Sequence, residues 1–173
     1  MSSQVINSYL YAESCEDVDQ EQLLHNDQTS LGHNSSTYES GMKFATASAL
    51  GVGAKLVSYT MFLAKGSLGV GNTNLVTSRL YTSAGVLKET SNTFDPQTLP
   101  THPTYQEVLL DFSGTVTIAD GDYVTFYFNS GGGDYLHAHY QNTDVYDSTN
   151  TIMFRNSGTF VGEDNTFKIT YCE

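Results

Sequence analysis

His137 and His139 stand two residues apart in the run YLHAHYQ, residues 135–141. On an extended strand that spacing sends both imidazoles to one face. Two imidazoles on a face can begin a transition-metal site, but no third ligand stands nearby in the sequence. The same face suits a sugar. Tyrosine and histidine rings stack on a pyranose and hydrogen-bond from their edges. Tyr135, His137, His139 and Tyr140, with Tyr146, gather around the Gly-rich turn at 131–133. The first four are the expected glycan-binding residues. The chain has no Trp, which would give the largest stacking platform. The competing reading is two histidines on a solvent-facing strand.

Other chemistries leave little trace. The glycine-rich runs GVGAK (51–55) and GSLGVG (66–71) lack the Gly-Lys-Ser/Thr ending of a phosphate loop and read as turns. No Gly-x-Ser-x-Gly elbow is present, and no cysteine and histidine stand as a nucleophile pair. Asp120-Gly121-Asp122 reads as a tight turn feeding a strand, with Gly121 supplying a positive φ. No catalytic residue is assigned, and the expectation is a protein that is not an enzyme. Cys15 and Cys172 lie near opposite ends. They are either two reduced thiols or a disulfide, and closing so long a loop would add about 4–5 kcal/mol in the chain-entropy model. A Cys/His zinc pattern is absent.

The elements that carry these residues read as strands. Residues 105–114 place Val108, Leu110 and Phe112 on one face. Residues 122–133 place Val124, Phe126 and Phe128 on one face, with Tyr123, Thr125 and Tyr127 on the other. This period-two alternation predicts half-buried strands. Further strands are expected at 4–12, 38–46, 54–66, 74–85, 135–141, 151–156 and 165–172. The stretch 13–36 is acidic and reads as a loop or arm with one helical turn around Leu23 and Leu24. Residues 86–105 hold all three prolines and read as an irregular connection. About nine strands without a long helix predict an all-β, antiparallel β-sandwich of jelly-roll type. The expected organisation is an N-terminal strand and polar acidic arm over 1–36 and a sandwich over 37–173, one domain overall.

Composition agrees. Of 173 residues, 15% are charged, against about 25% in an average soluble protein. Seven basic residues against 19 acidic ones give a net charge of −12. That argues against nucleic acid and against an anionic membrane. No apolar run is long enough to insert in a bilayer. No basic segment leads into an apolar one at the N-terminus, so a secretory signal is not expected.

Several segments together resemble the jelly-roll modules called choice-of-anchor domains, found in surface and virion-associated proteins. They are ESGMKF (39–44), LVSYTMFLAKGSLGVGN (56–72), SRLYTSAGVLKETSNTFD (78–95), EVLLDFSGTVTIADGDYVTFYF (107–128) and DNTFKITY (164–171). They cover about three-quarters of the chain in order. The turn GSLGVG lacks the family's proline, and Phe160 stands where an aromatic, often Trp, is usual. The resemblance implies a β-sandwich accessory module and no enzyme.

Modules of this kind resemble calcium-binding carbohydrate modules whose first and last strands share an ion. Here Glu13, Glu16, Asp17 and Asp19 lie beside the first expected strand, and Glu163, Asp164 and Asn165 enter the last. If those strands pair, the groups meet, and Glu13, Asp17 and Asp164 become calcium ligands. The alternative is a solvated acidic arm. Calcium is the one cofactor this reading implies.

Two functions follow as expectations. The first is a structural component of a virus particle, a capsid decoration, tail or fibre module, that forms homo-oligomers or docks on other virion proteins. The second is a glycan-binding, calcium-stabilised module of a cell-surface or secreted protein. Either places the chain on a virion or an extracellular surface.

Overall fold

The computed structural model describes residues 17–32, 38–45, 51–130, 133–143, 151–156, 158–160 and 163–172. The expected strand at 4–12, Glu13, Cys15, Glu16 and Tyr146 lie outside them. Thirteen strands run through the described residues: β1 (Asp17–Gln22), β2 (Asp27–Leu31), β3 (Glu39–Phe44), β4 (Lys55–Ser67), β5 (Val76–Tyr81), β6 (Leu87–Phe94), β7 (Gln106–Asp111), β8 (Tyr123–Tyr127), β9 (Tyr135–Gln141), β10 (Thr151–Arg155), β11 (Gly158–Phe160), β12 (Asp164–Asn165) and β13 (Phe167–Cys172). They form an antiparallel β-sandwich.

The first sheet is organised by β4. One edge of this long strand pairs β13 and then β9, which lie end to end, while its other edge pairs β7. Outside them β1 pairs β13, and β2 and β12 pair β9. The second sheet runs β11-β10-β3-β8-β5-β6. Between the sheets, Tyr59 of β4 meets Phe126 of β8 and Phe167 of β13 at ring-centroid distances of 5.7 and 6.1 Å. The alternating sets Val108/Leu110/Phe112 and Val124/Phe126/Phe128 are all buried here, as period two requires.

Polar clasps close the edges. At one, the β6 residue Asn92 accepts from the Asp111 amide at 3.0 Å, and Glu89 accepts from the Ser113 amide at 2.7 Å. At the other, the fully buried Asn165 reaches across to β3. It accepts from Ser40 Oγ at 2.8 Å and donates to the Gly41 carbonyl. Most buried polar groups are paired in this way.

Three expectations change. The stretch read as an acidic arm carries β1 and β2, joined by a turn at Leu23 and Leu24 rather than a helical turn. The stretch read as irregular contains β6, and its prolines follow that strand. The outer face of β8 is not solvated, since Tyr123 and Thr125 are buried too. The Asp-Gly-Asp segment is a turn, with Gly121 at φ 77°. The buried Asp122 pairs with Lys88 Nζ at 2.6 Å and accepts from the Ala119 amide at 2.8 Å.

Candidate functional site

β9 directs Leu136 and Ala138 into the core and Tyr135, His137 and His139 outward. Two other segments are laid over that outer face. The first is the proline-containing loop before β7. It is tied to β4 by bonds from the Lys65 amide to Pro100 O (2.8 Å) and from the His102 amide to Lys65 O (2.9 Å). This sets His102 against His137, with ring centroids 4.6 Å apart, and Tyr105 against His139 at 3.4 Å.

The second segment is the β1–β2 turn. Gln22 holds it by accepting from the Leu24 amide at 2.5 Å and donating to Leu24 O at 2.8 Å. Asn26 accepts from the Asn142 amide at 2.8 Å. His25 then stacks on His139 with centroids 3.9 Å apart and planes 13° off parallel. Tyr135 completes the row, edge-on to His137 at 5.2 Å.

Six rings from three chain segments thus cross one face of the sandwich. Beside them opens a groove of about 430 Å³ lined by His25, Asn26, Asp27, Gln28, His102, Pro103, Tyr105 and His139. Its polar wall is ordered. Tyr105 donates to Gln28 Oε1. Tyr140 donates to Asp27 Oδ2 at 3.0 Å, and the Gln28 amide donates to Asp27 Oδ1 at 2.7 Å.

The electrostatics follow from crowding. Burial, then the Asp27 carboxylate, pushes the Tyr105 hydroxyl up to about 12. Burial, then the neighbouring His25 and His102, lowers His139 to about 4. Burial, then His102, lowers His137. Above about pH 6.5, the unfolded value, His139 is neutral in both states and costs nothing. As the pH falls from there toward 4, the unfolded chain takes up the proton first, so the folded state loses stability. Discounted for its partial exposure, the loss is about 1–2 kcal/mol, a few degrees of melting temperature. His139→Gln should flatten this limb of a melting-temperature profile. Superimposable profiles for variant and wild type would refute the assignment.

Tyr135, His137, His139 and Tyr140 are thus brought together, although Tyr140 turns to Asp27. Sequence reasoning missed His25, Asp27, Gln28, His102 and Tyr105, because nothing local marks a turn and a loop that will fold onto β9.

Of the three expected calcium ligands, Glu13 lies outside the described residues, and Asp17 and Asp164 are not brought together. β1 and β13 do pair, but their antiparallel register sets Asp17 opposite Cys172. Asp164 is opposite Gln141, on the order of 25 Å away along the strand. Asp164 is buried and the Asn165 side chain is committed to β3. Among the described residues no group of three or more His, Cys, Asp or Glu side chains could hold a metal ion. Cys172 is disulfide-bonded and nearly fully buried; Cys15, the other cysteine of the chain, lies outside the described residues.

A second polar cluster lies on the outer face of the other sheet. Arg79 sits 3.4 Å over the Tyr127 ring and 3.9 Å from Glu39, which accepts from Tyr81 at 2.5 Å. Burial raises the Glu39 carboxyl, opposed by Tyr81 and Arg79. These contacts tie β3, β5 and β8 together, with Arg79 Nε buried and lacking a hydrogen-bond partner among the described residues.

No protein-family model matches the chain, and no curated protein matches it. No helix among the described residues is long and apolar enough to cross a membrane.

Proposed function

We propose that this chain is a non-enzymatic β-sandwich module that recognises glycan through the His/Tyr groove, carried on a virus particle as a decoration, tail or fibre module. The groove itself carries the glycan reading. The rings of His25 and His102 are exposed and that of Tyr105 half-buried, next to Asn26, Asp27 and Gln28. Sugar recognition combines these features: flat apolar faces for the C–H side of a pyranose, and fixed amide and carboxylate groups for its hydroxyls. Asp27 is the single carboxylate among the described lining residues. Canonical glycoside hydrolysis uses two, across the bond to be cut, which favours binding over turnover.

The particle setting rests on the resemblance to virion-associated modules and on the low charge density. Leu109 on the edge strand β7, and Val86 and Leu87 at the β5–β6 turn, are exposed apolar side chains that a neighbouring subunit could cover. A homo-oligomer of closed symmetry is the natural assembly. The same groove would serve a cell-surface or secreted protein. Calcium draws no support from the register of β1 and β13.

A glycan array probed with the full chain tests the binding reading. Tyr105→Ala and His139→Ala should each weaken binding about tenfold while far-ultraviolet circular dichroism stays unchanged, the loss expected for one or two ring contacts. An array without hits overturns it. Light scattering tests the assembly reading: a defined multiple of 18.9 kDa is expected. A monomer that binds sugar would move the module off the virion.

A further inference from the structure

We propose that the groove selects glycans bearing carboxylates, uronate-type sugars, and captures them through its histidines under mildly acidic conditions. This deepens the glycan reading and rests on it. The chain carries 19 acidic residues against seven basic ones, a net charge of −12 that disfavours anions in general. Three of its seven permanent cations, Arg79, Lys88 and Lys168, are already tied to carboxylates. Yet four of its five histidines are in ring contact at one place.

These imidazoles have few partners within the protein. Among the described residues, His25 Nδ1 lies 3.2 Å from Leu23 O, and no other ring nitrogen of the four has a hydrogen-bond partner. His137 Nδ1 is buried without one. A protonated imidazole offers two donors and no acceptor. His25, His102 and His139, the three that line the groove, therefore suit a ligand that brings acceptor oxygens and negative charge.

The surrounding charges do not supply that anion. From β2, Asp27 faces the groove, but its oxygens are taken by Tyr140 and the Gln28 amide. From the loop and β9 come Tyr105, Tyr135 and Tyr140. Lys65 of β4 is turned to Gln97 O at 3.1 Å. Further along the face, Glu107 of β7 and Lys168 of β13 neutralise each other at 2.9 Å.

Burial first, and then the neighbouring imidazoles, disfavours a proton on His139 and His137 when no counter-ion is present. A bound carboxylate reverses that cost, so binding and proton uptake are linked.

Isothermal titration of the full chain with trigalacturonate, its methyl ester and cellopentaose, at about pH 5 and pH 8, tests the proposal. Trigalacturonate should bind roughly tenfold tighter at the lower pH, with buffer-dependent heats that report proton uptake. The ester should show no such dependence. The double variant His25→Gln/His102→Gln should remove most of the pH effect and keep its circular dichroism spectrum. Binding of the neutral sugars but not of trigalacturonate, or affinity for it that ignores pH, overturns the anionic selection and leaves the glycan reading standing. Binding of none of the three, together with an array without hits, overturns both.

Discussion

Gly41→Ala is expected to prevent the native sandwich from forming. An added Cβ would lie 1.9 Å from the Val124 carbonyl oxygen and 2.5 Å from the Thr125 Cα. Both are backbone atoms of β8, the strand paired with β3 at this position. A side-chain clash can be relieved by a rotamer change, but here a strand in the middle of the sheet would have to move. Core atoms are close-packed and yield little. A cost above about 4 kcal/mol is expected, in the range reserved for named structural failures. The melting temperature should drop by more than about 10 °C, or soluble protein should be lost. Gly133→Ala is the matched control, because its Cβ would meet nothing within 4 Å. Melting of Gly41→Ala within about 3 °C of wild type would refute the argument.

Asn165→Ala should be the next most damaging change. The side chain is fully buried and bridges the two sheets through Ser40 Oγ and the Gly41 carbonyl. Truncation leaves a buried carbonyl and a buried hydroxyl without this partner, and a cavity beside Met42. Each stranded group costs about 1–3 kcal/mol, so a loss of about 2–4 kcal/mol is expected in urea titration. A cycle with Ser40→Ala should show coupling above about 0.5 kcal/mol, because the two side chains share one bond. Additive effects would mean that the bridge contributes nothing beyond packing. The prediction also separates two roles for this position. As an inter-sheet clasp it is sensitive to truncation whether or not calcium is present.

Legibility in the sequence followed the burial of individual side chains. Where a strand buries one face, as with Val124, Phe126 and Phe128, alternation announces it. β1, β2 and β6 are different. Asp-Val-Asp-Gln-Glu-Gln and Leu-Lys-Glu-Thr-Ser-Asn-Thr-Phe carry too few apolar residues to show a period. They are strands because a neighbouring edge offers hydrogen bonds: β1 lies along β13, and β6 along β5. That pairing partner is remote or invisible in a local window. The long strand β4 was plain from its apolar run, but its service to β13, β9 and β7 at once was not.

The site divides along the same line. Period two in one short segment already placed His137 and His139 on a common face, and the abundance of tyrosine suggested stacking. The local sequence determined the strands with a buried face, the all-β class, the acidic surface and one wall of the groove, because each depends on the order of neighbouring side chains. Only the tertiary structure decided that His25, His102 and Tyr105 complete the ring row, that Asn165 is a clasp, and that Asp17 and Asp164 stand at opposite ends of a strand. Those outcomes depend on register and on loops crossing a sheet, and both are set by the sum of many distant contacts.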